Sequence, residues 1–133
     1  VMAPHTLVFT GMRWHVRAYC EKNRAYRDFV LSRFRGEPDL MDESEHTRER
    51  DEAWNTPVTV LIEPDARLSP AQKAIIEVDY GMLDGQLPVE TRGALVQYVL
   101  QRFGIDPNTV QANAAAQQLQ VGNLQALKGW LYS

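Results

Sequence analysis

The sequence predicts an α+β chain: a small antiparallel sheet, an acidic stretch, and then a second part made of a strand and helices. Three observations predict it. Residues 13–20 alternate strictly between two kinds of side chain, the period-two signature of a strand with one face in a core. Ser69-Pro70-Ala71-Gln72 reads as a helix start, with a capping hydroxyl, a proline at the first helical position and a capping-box glutamine. Between them, residues 36–55 are polar and acidic and offer too little apolar surface to form a core of their own.

The first third reads as a three-stranded antiparallel meander. Leu7-Val8-Phe9 is a short apolar strand, and Thr10-Gly11 marks a tight turn. Arg13 to Glu21 is the second strand. Trp14, Val16, Ala18 and Cys20 fall on one side and are assigned to the core; Arg13, His15, Arg17 and Tyr19 fall on the other and are assigned to the outside. Lys22-Asn23-Arg24 is the next turn, with Asn23 suited to positive φ. Tyr26 to Phe34 is the third strand. Its alternation is broken, because Phe29 and Leu31 share one face while Val30 and Phe34 share the other; a bulge near Ser32 or burial on both faces reconciles this.

Gly36 to Asn55 is expected to be a linker or loop with room for a short helix over Asp42 to Ala53, and Trp54 marks the return to packed structure. Thr56 to Glu63 is a strand whose Pro57 suits an edge or first position. The helix begun at Pro70 carries Ala71, Ala74, Ile75 and Val78 at helical spacing and ends at Gly81. A second helix is expected from Glu90 to Phe103, with Leu95, Val96, Val99, Leu100 and Phe103 as its stripe and Gly104 at its end. In the tail, Gln-Leu-Gln-Val suits a strand and Leu124 to Leu131 a short helix.

At 133 residues there is room for one domain or two very small ones. Apolar residues at 44% and charged residues at 23% place the chain among soluble globular proteins. One cysteine, Cys20, excludes an internal disulfide, and its apolar side of the strand reads as an inert buried thiol. No apolar run approaches the roughly 20 residues that span a bilayer, and the N-terminus lacks a signal-peptide pattern, so the cytoplasm is the expected compartment.

Net charge of −3 conceals an asymmetry. Residues 1–35 hold six Arg and one Lys against Glu21 and Asp28, a balance of +5, whereas residues 36–133 come to −8. An anionic partner is therefore expected at the first third.

No catalytic constellation emerges. His5, His15 and His46 lack metal-site spacing, the carboxylates crowd the acidic stretch, and no glycine-rich phosphate loop exists. The chain is not expected to be an enzyme, and no cofactor or metal is expected. The basic ladder is the feature that points to binding. Arg13 and Arg17 lie about 13 Å apart on an extended strand, Arg27 and Arg33 come from the neighbouring strand, and guanidinium forks suit phosphates. Tyr19 and His15 suit stacking on bases. The competing reading is a solvated strand face carrying arginines for solubility.

Pro4-His5-Thr6-Leu7-Val8-Phe9, Gly11 to Cys20 and Asp28 to Phe34 together resemble the second half of a WYL domain, whose Trp-Tyr-Leu triplet would fall at Trp14-His15-Val16 with two letters changed. Leu68 to Gln72, Asp79 to Met82 and Arg92 to Leu95 are similar to the C-terminal extension of bacterial WYL transcription factors, including those beside phage-defence gene clusters. The resemblance covers residues 3 to 107. It implies a partial Sm- or SH3-like antiparallel β-barrel over 1–36, an acidic linker over 37–55 and a strand-plus-helices dimerisation extension over 56–133. It also implies a sensor pocket for a nucleotide or single-stranded nucleic acid at His5, His15, Arg17, Tyr19 and Arg33, to which the charge reading adds Arg13 and Arg27. A homodimer is implied, with operator DNA reached only through a helix-turn-helix outside this chain, and the chain is expected to be a fragment cut within the sensor domain.

On this reading Trp14 is core and Arg17 faces ligand, so Trp14→Ala should cost roughly 3–5 kcal/mol and Arg17→Ala little stability. Ile75, Val78, Leu95, Val99 and Phe103 suit either an intramolecular core or a dimer interface, and the dimer interface is the sharper expectation. A stand-alone Sm-like nucleic-acid-binding module and a structural interaction domain, in which arginines pair with the acidic part, remain as alternatives.

Overall fold

The computed structural model describes residues 1–109 and 111–131. They belong to two compact units, Val1–Asn55 and Thr56–Ser133.

In the first unit the alternating segment forms the middle strand of an antiparallel sheet. β1 (Met2–Phe9), β2 (Trp14–Cys20) and β3 (Ala25–Val30) run in the order β1-β2-β3. The expected meander is present as an open sheet. β1 is longer than Leu7-Val8-Phe9, because it pairs along the whole of β2, from Met2 opposite Cys20 to Phe9 opposite Trp14. Its first half hides from a period-two reading because the register slips between Pro4 and Thr6, leaving His5 at the irregularity. β3 is shorter than expected. Leu31–Arg33 curl into a 3-10 turn, so Leu31 and Phe34 are exposed and neither a bulge at Ser32 nor two-faced burial is needed. In the turn after β2 the left-handed residue is Arg24 (φ 52°), not Asn23, whose side-chain amide instead donates to the Cys20 sulfur at 3.2 Å.

The end of the acidic stretch is packed. After a 3-10 turn at Arg48–Arg50 comes α1 (Glu52–Asn55), in which Trp54 is buried, and Asp51 between them is buried as well. The Asn55 side-chain amide ties this segment together by donating to the carbonyls of Arg48 at 2.7 Å and Asp51 at 2.9 Å.

The second unit is built on β4 (Pro57–Pro64), flanked by β5 (Leu87–Arg92) and β6 (Leu119–Val121), both antiparallel to it. Val60 and Ile62 are turned into the core by the strand alternation, while Thr59 on the other face donates to the Glu90 carboxylate at 3.0 Å. α2 (Pro70–Asp79) starts as read. The Ser69 hydroxyl accepts from the Gln72 N–H, and the Gln72 side chain accepts from the Ser69 N–H. Asp84 and Gly85 both take positive φ between the mutually hydrogen-bonded Leu83 and Gln86, the signature of a type I′ hairpin turn.

The helix expected over Glu90 to Phe103 is divided. Val89, Glu90, Thr91 and Arg92 pair with β4, which overrides the helical preference of Glu90; Gly93–Leu95 make a 3-10 turn; and α3 (Val96–Arg102) follows. Gly93 sits under an indole: a Cβ built there would lie 2.5 Å from the Trp130 ring. α4 (Ala114–Gln117), capped by the Asn113 side chain, was not legible in the Gln/Ala-rich tail. β6 and α5 (Leu124–Leu131) lie where the tail pattern placed them. Val60, Ile62, Leu68, Ile76, Val96, Leu100, Leu119 and Leu127 form the core, with Val99 and Phe103 packed on it. No helix among the described residues is long and apolar enough to cross a membrane.

Candidate ligand-binding face

The face of the first sheet expected to meet ligand is largely covered. β2 alternation puts His15, Arg17 and Tyr19 on one side, and the β3 register places Tyr26 opposite Tyr19 and Asp28 opposite Arg17 on that same side. His15 and Arg17 are 5% and 7% exposed. What covers Arg17 is the end of the acidic stretch. Asp51 is 1% exposed and receives a forked pair from Arg17, Nε to Oδ2 at 2.8 Å and Nη2 to Oδ1 at 3.0 Å. Arg17 Nη1 reaches Asp28 at 3.4 Å.

His5 completes the arrangement. Its Nε2 donates to Asp51 Oδ2 at 2.9 Å, and its Nδ1 lies 2.6 Å from the Thr6 hydroxyl. Because the carboxylate brings no proton, this bond requires the His5 proton on Nε2. The Trp54 N–H also donates to Asp51 Oδ1, at 3.3 Å. Burial alone would push the Asp51 carboxyl up, but the hydrogen bonds from Arg17 and His5 and the guanidinium charge outweigh it and hold the carboxyl below its ordinary range. Burial alone would likewise lower Arg17, but Asp51 and Asp28 raise it, so this cation is fixed.

Aromatic rings surround the pair. His5 meets Tyr26 at 5.9 Å between centroids and Trp54 edge-on at 5.5 Å. Tyr26 stands edge-on to Tyr19 at 5.2 Å. His46 lies flat on Tyr19, with centroids 3.6 Å apart and planes 8° from parallel. Burial, then the charge on Asp51, pushes the Tyr26 phenol up, and its hydroxyl donates to the Thr47 carbonyl at 2.7 Å.

Of the seven residues singled out, His5, Arg17 and Tyr19 come together, with His15 buried on the same strand face. The other three do not join them. Arg13 lies before β2 and lines an open groove of about 350 Å³ with Phe9, Met12, Trp14, Leu31 and Ser32. Arg27 pairs with Ala18, which puts it on the opposite face of the sheet, and it is exposed. Arg33 is exposed in the 3-10 turn after β3. Two face assignments are corrected. Trp14 is 49% exposed and packs on Phe9 at 5.2 Å, because strand-end positions lack the cover that closes over Val16 and Ala18. Arg17 is an interior cation, because a carboxylate 34 residues away neutralises it. Asp51, Tyr26, His46 and Trp54 were missed as site residues. The signal that could have found them is a tryptophan three residues after an aspartate, at the end of an acidic run in a unit otherwise rich in arginine.

Comparison with known proteins gives two family matches in chain order. Residues 1–36 match the WYL domain, and residues 57–127 match the family described as BrxR transcriptional regulator, C-terminal dimerization domain. Among curated proteins, the chain is 38% identical over 128 residues to the DNA-binding transcriptional repressor CapW of Pseudomonas aeruginosa, covering 96% of this chain and 42% of that protein. It is 33% identical over 138 residues to CapW of Stenotrophomonas maltophilia, covering 98% and 44%. It is 38% identical over 120 residues to CapW of Escherichia coli, covering 90% and 39%. The chain thus spans about two fifths of the length of these relatives. With more than half of its residues matched by one family model, and a WYL match ahead of it, this chain belongs to the BrxR transcriptional regulator C-terminal dimerization domain family.

Proposed function

We infer that the chain is the effector-sensing and dimerising part of a bacterial transcriptional repressor that works in the cytoplasm. The observation that carries the dimerising half is the outer face of α2. Ile75 and Val78, three residues apart on one helical face, are 62% and 81% exposed, and Leu83 beyond the helix is 80% exposed. A family of dimerisation domains supports reading this face as the twofold contact. Val99 and Phe103, expected at the same interface, are packed on the core of their own unit and are better left out of it.

The effector reading assigns a nucleotide or single-stranded nucleic acid to the first unit. Tyr19 offers a flat ring on one face of the sheet, and Arg13, Arg27 and Arg33 offer exposed cations elsewhere on the same unit, Arg27 on the opposite face. Arg17 serves this site from within, by holding the segment beside it. Effector binding would shift the dimer between two arrangements and so change operator affinity in a longer protein. The pairing of Arg17 with Asp51 favours a second reading, a structural interaction domain in which the ladder only holds the acidic segment.

Two measurements test the proposal. Sedimentation equilibrium at about 100 μM, well above the micromolar scale of ordinary association, should give a dimer that Val78→Glu splits. A clean monomer for the wild-type chain refutes the dimer. A fluorescent single-stranded oligonucleotide should bind at about 50 mM salt and weaken steeply as salt rises; no binding favours the structural reading.

A further inference from the structure

The acidic segment presents to β2 the two chemical features that a nucleotide would. A planar imidazole lies flat on Tyr19, and a carboxylate fills the Arg17 fork. We propose that residues 44–47 form a strap whose His46 ring occupies the base-stacking face of Tyr19, so that a single-stranded nucleic acid stacks there only after the strap swings away. This rests on the effector reading above and specifies where a base stacks and what holds the site shut.

The two ends of the mimic differ in how firmly they are held. Asp51 is 1% exposed and takes hydrogen bonds from Arg17, His5 and the Trp54 N–H. Removing it would leave a buried guanidinium largely unpaired, so Asp51 stays in place and acts as the anchor. His46 is held lightly. Its side chain is 26% exposed, its N–H donates to the Ser44 hydroxyl within the strap itself, and its Nε2 is 3.7 Å from a Glu45 carboxylate that is 75% exposed. The strap meets the sheet through the Tyr19 stack and through the Tyr26 hydroxyl on the Thr47 carbonyl. Leu40, Met41 and the rest of the chain just before Ser44 are exposed, so the strap can move without opening a core.

Once His46 leaves, Tyr19 presents one ring face to solvent while its T-shaped contact with Tyr26 remains. That is a platform for one base, and stacking of this kind tolerates any base. Arg17 remains occupied by Asp51, so phosphate contacts fall to exposed arginines.

The test uses the 133-residue chain, a fluorescent oligothymidylate and anisotropy at low salt. If the strap closes the face in all but about a tenth to a fifth of molecules, His46→Ala binds about five- to tenfold more tightly than wild type. His46→Phe keeps a flat ring on Tyr19 and should bind no more tightly than wild type. Adding Tyr19→Leu to His46→Ala should erase the gain, with far-UV circular dichroism confirming that each variant is folded. Binding by wild type that His46→Ala leaves unchanged or weakens overturns the strap while sparing the effector reading. A gain that survives in the double variant overturns Tyr19 as the platform. No binding by any folded variant overturns the effector reading and the strap with it.

Discussion

The two units of this chain solve the same problem with different materials. Thr56–Ser133 fills its centre with hydrocarbon: Val60, Ile62, Val96, Leu100 and Leu127 are each at most 1% exposed. In Val1–Asn55 the small apolar residues Val16, Ala18 and Cys20 are buried on one strand face, and the opposite face is closed by Arg17, Asp51, His5 and a ring of aromatics. Apolar packing does not depend on protonation, whereas a buried ion pair holds only while both partners are charged and in place. The second unit is thus suited to be a constant scaffold, and the first to respond to its surroundings.

Removing the anchor should separate the units most clearly. Asp51→Ala should cost the first unit about 3–5 kcal/mol, the usual effect of leaving one member of a buried pair alone. Amide hydrogen exchange should show the loss in residues 1–55 while 56–131 stay protected. A loss below about 1 kcal/mol, the scale of an exposed pair, would end the contrast. Acid should act in the same direction. The Asp51 carboxyl is held below its ordinary value of 3.8, so its contribution is complete above that value and disappears as pH falls through the lower folded value. Exchange protection in residues 1–55, measured against the intrinsic rate at each pH, should fall below about pH 4, and Asp51→Asn should remove that dependence. Asp65 in the second unit is lowered as well, first by its hydrogen bond from Arg67, but Arg67 is well exposed, so the second unit should show a weaker acid limb.

Leu100→Ala should cost about 2–5 kcal/mol through lost burial and a residual cavity, read by urea denaturation, with exchange protection lost in the second unit. A loss of protection in residues 1–55 instead would show that the two cores are not separate. The smallest effect belongs to the α2 cap: Ser69→Ala should cost about 1 kcal/mol, visible as a shifted urea midpoint with an unchanged slope.

Legibility in the sequence followed the range of the interactions. The capping box at Ser69, the β2 alternation and the short helix over Leu124 to Leu131 are written within a few residues and could be read. β5 could not, because Glu90-Thr91-Arg92 is a strand only by virtue of pairing with residues 57–59, more than thirty positions away. The site followed the same division. Residue types on the β2 face were legible, but their burial was not, since it depends on Asp51 and His46 arriving from a segment whose composition looks soluble. Trp14 shows the converse error: alternation names a face, and only the rest of the fold decides whether that face is covered at the strand's end.

Gly93 and Trp130 behave as one position divided between two places in the chain. The indole occupies the volume that a side chain at 93 would need. Bulk gained at 93 must therefore be surrendered at 130, so the two positions are expected to change together among relatives, as a small–large pair that exchanges volume while keeping its sum.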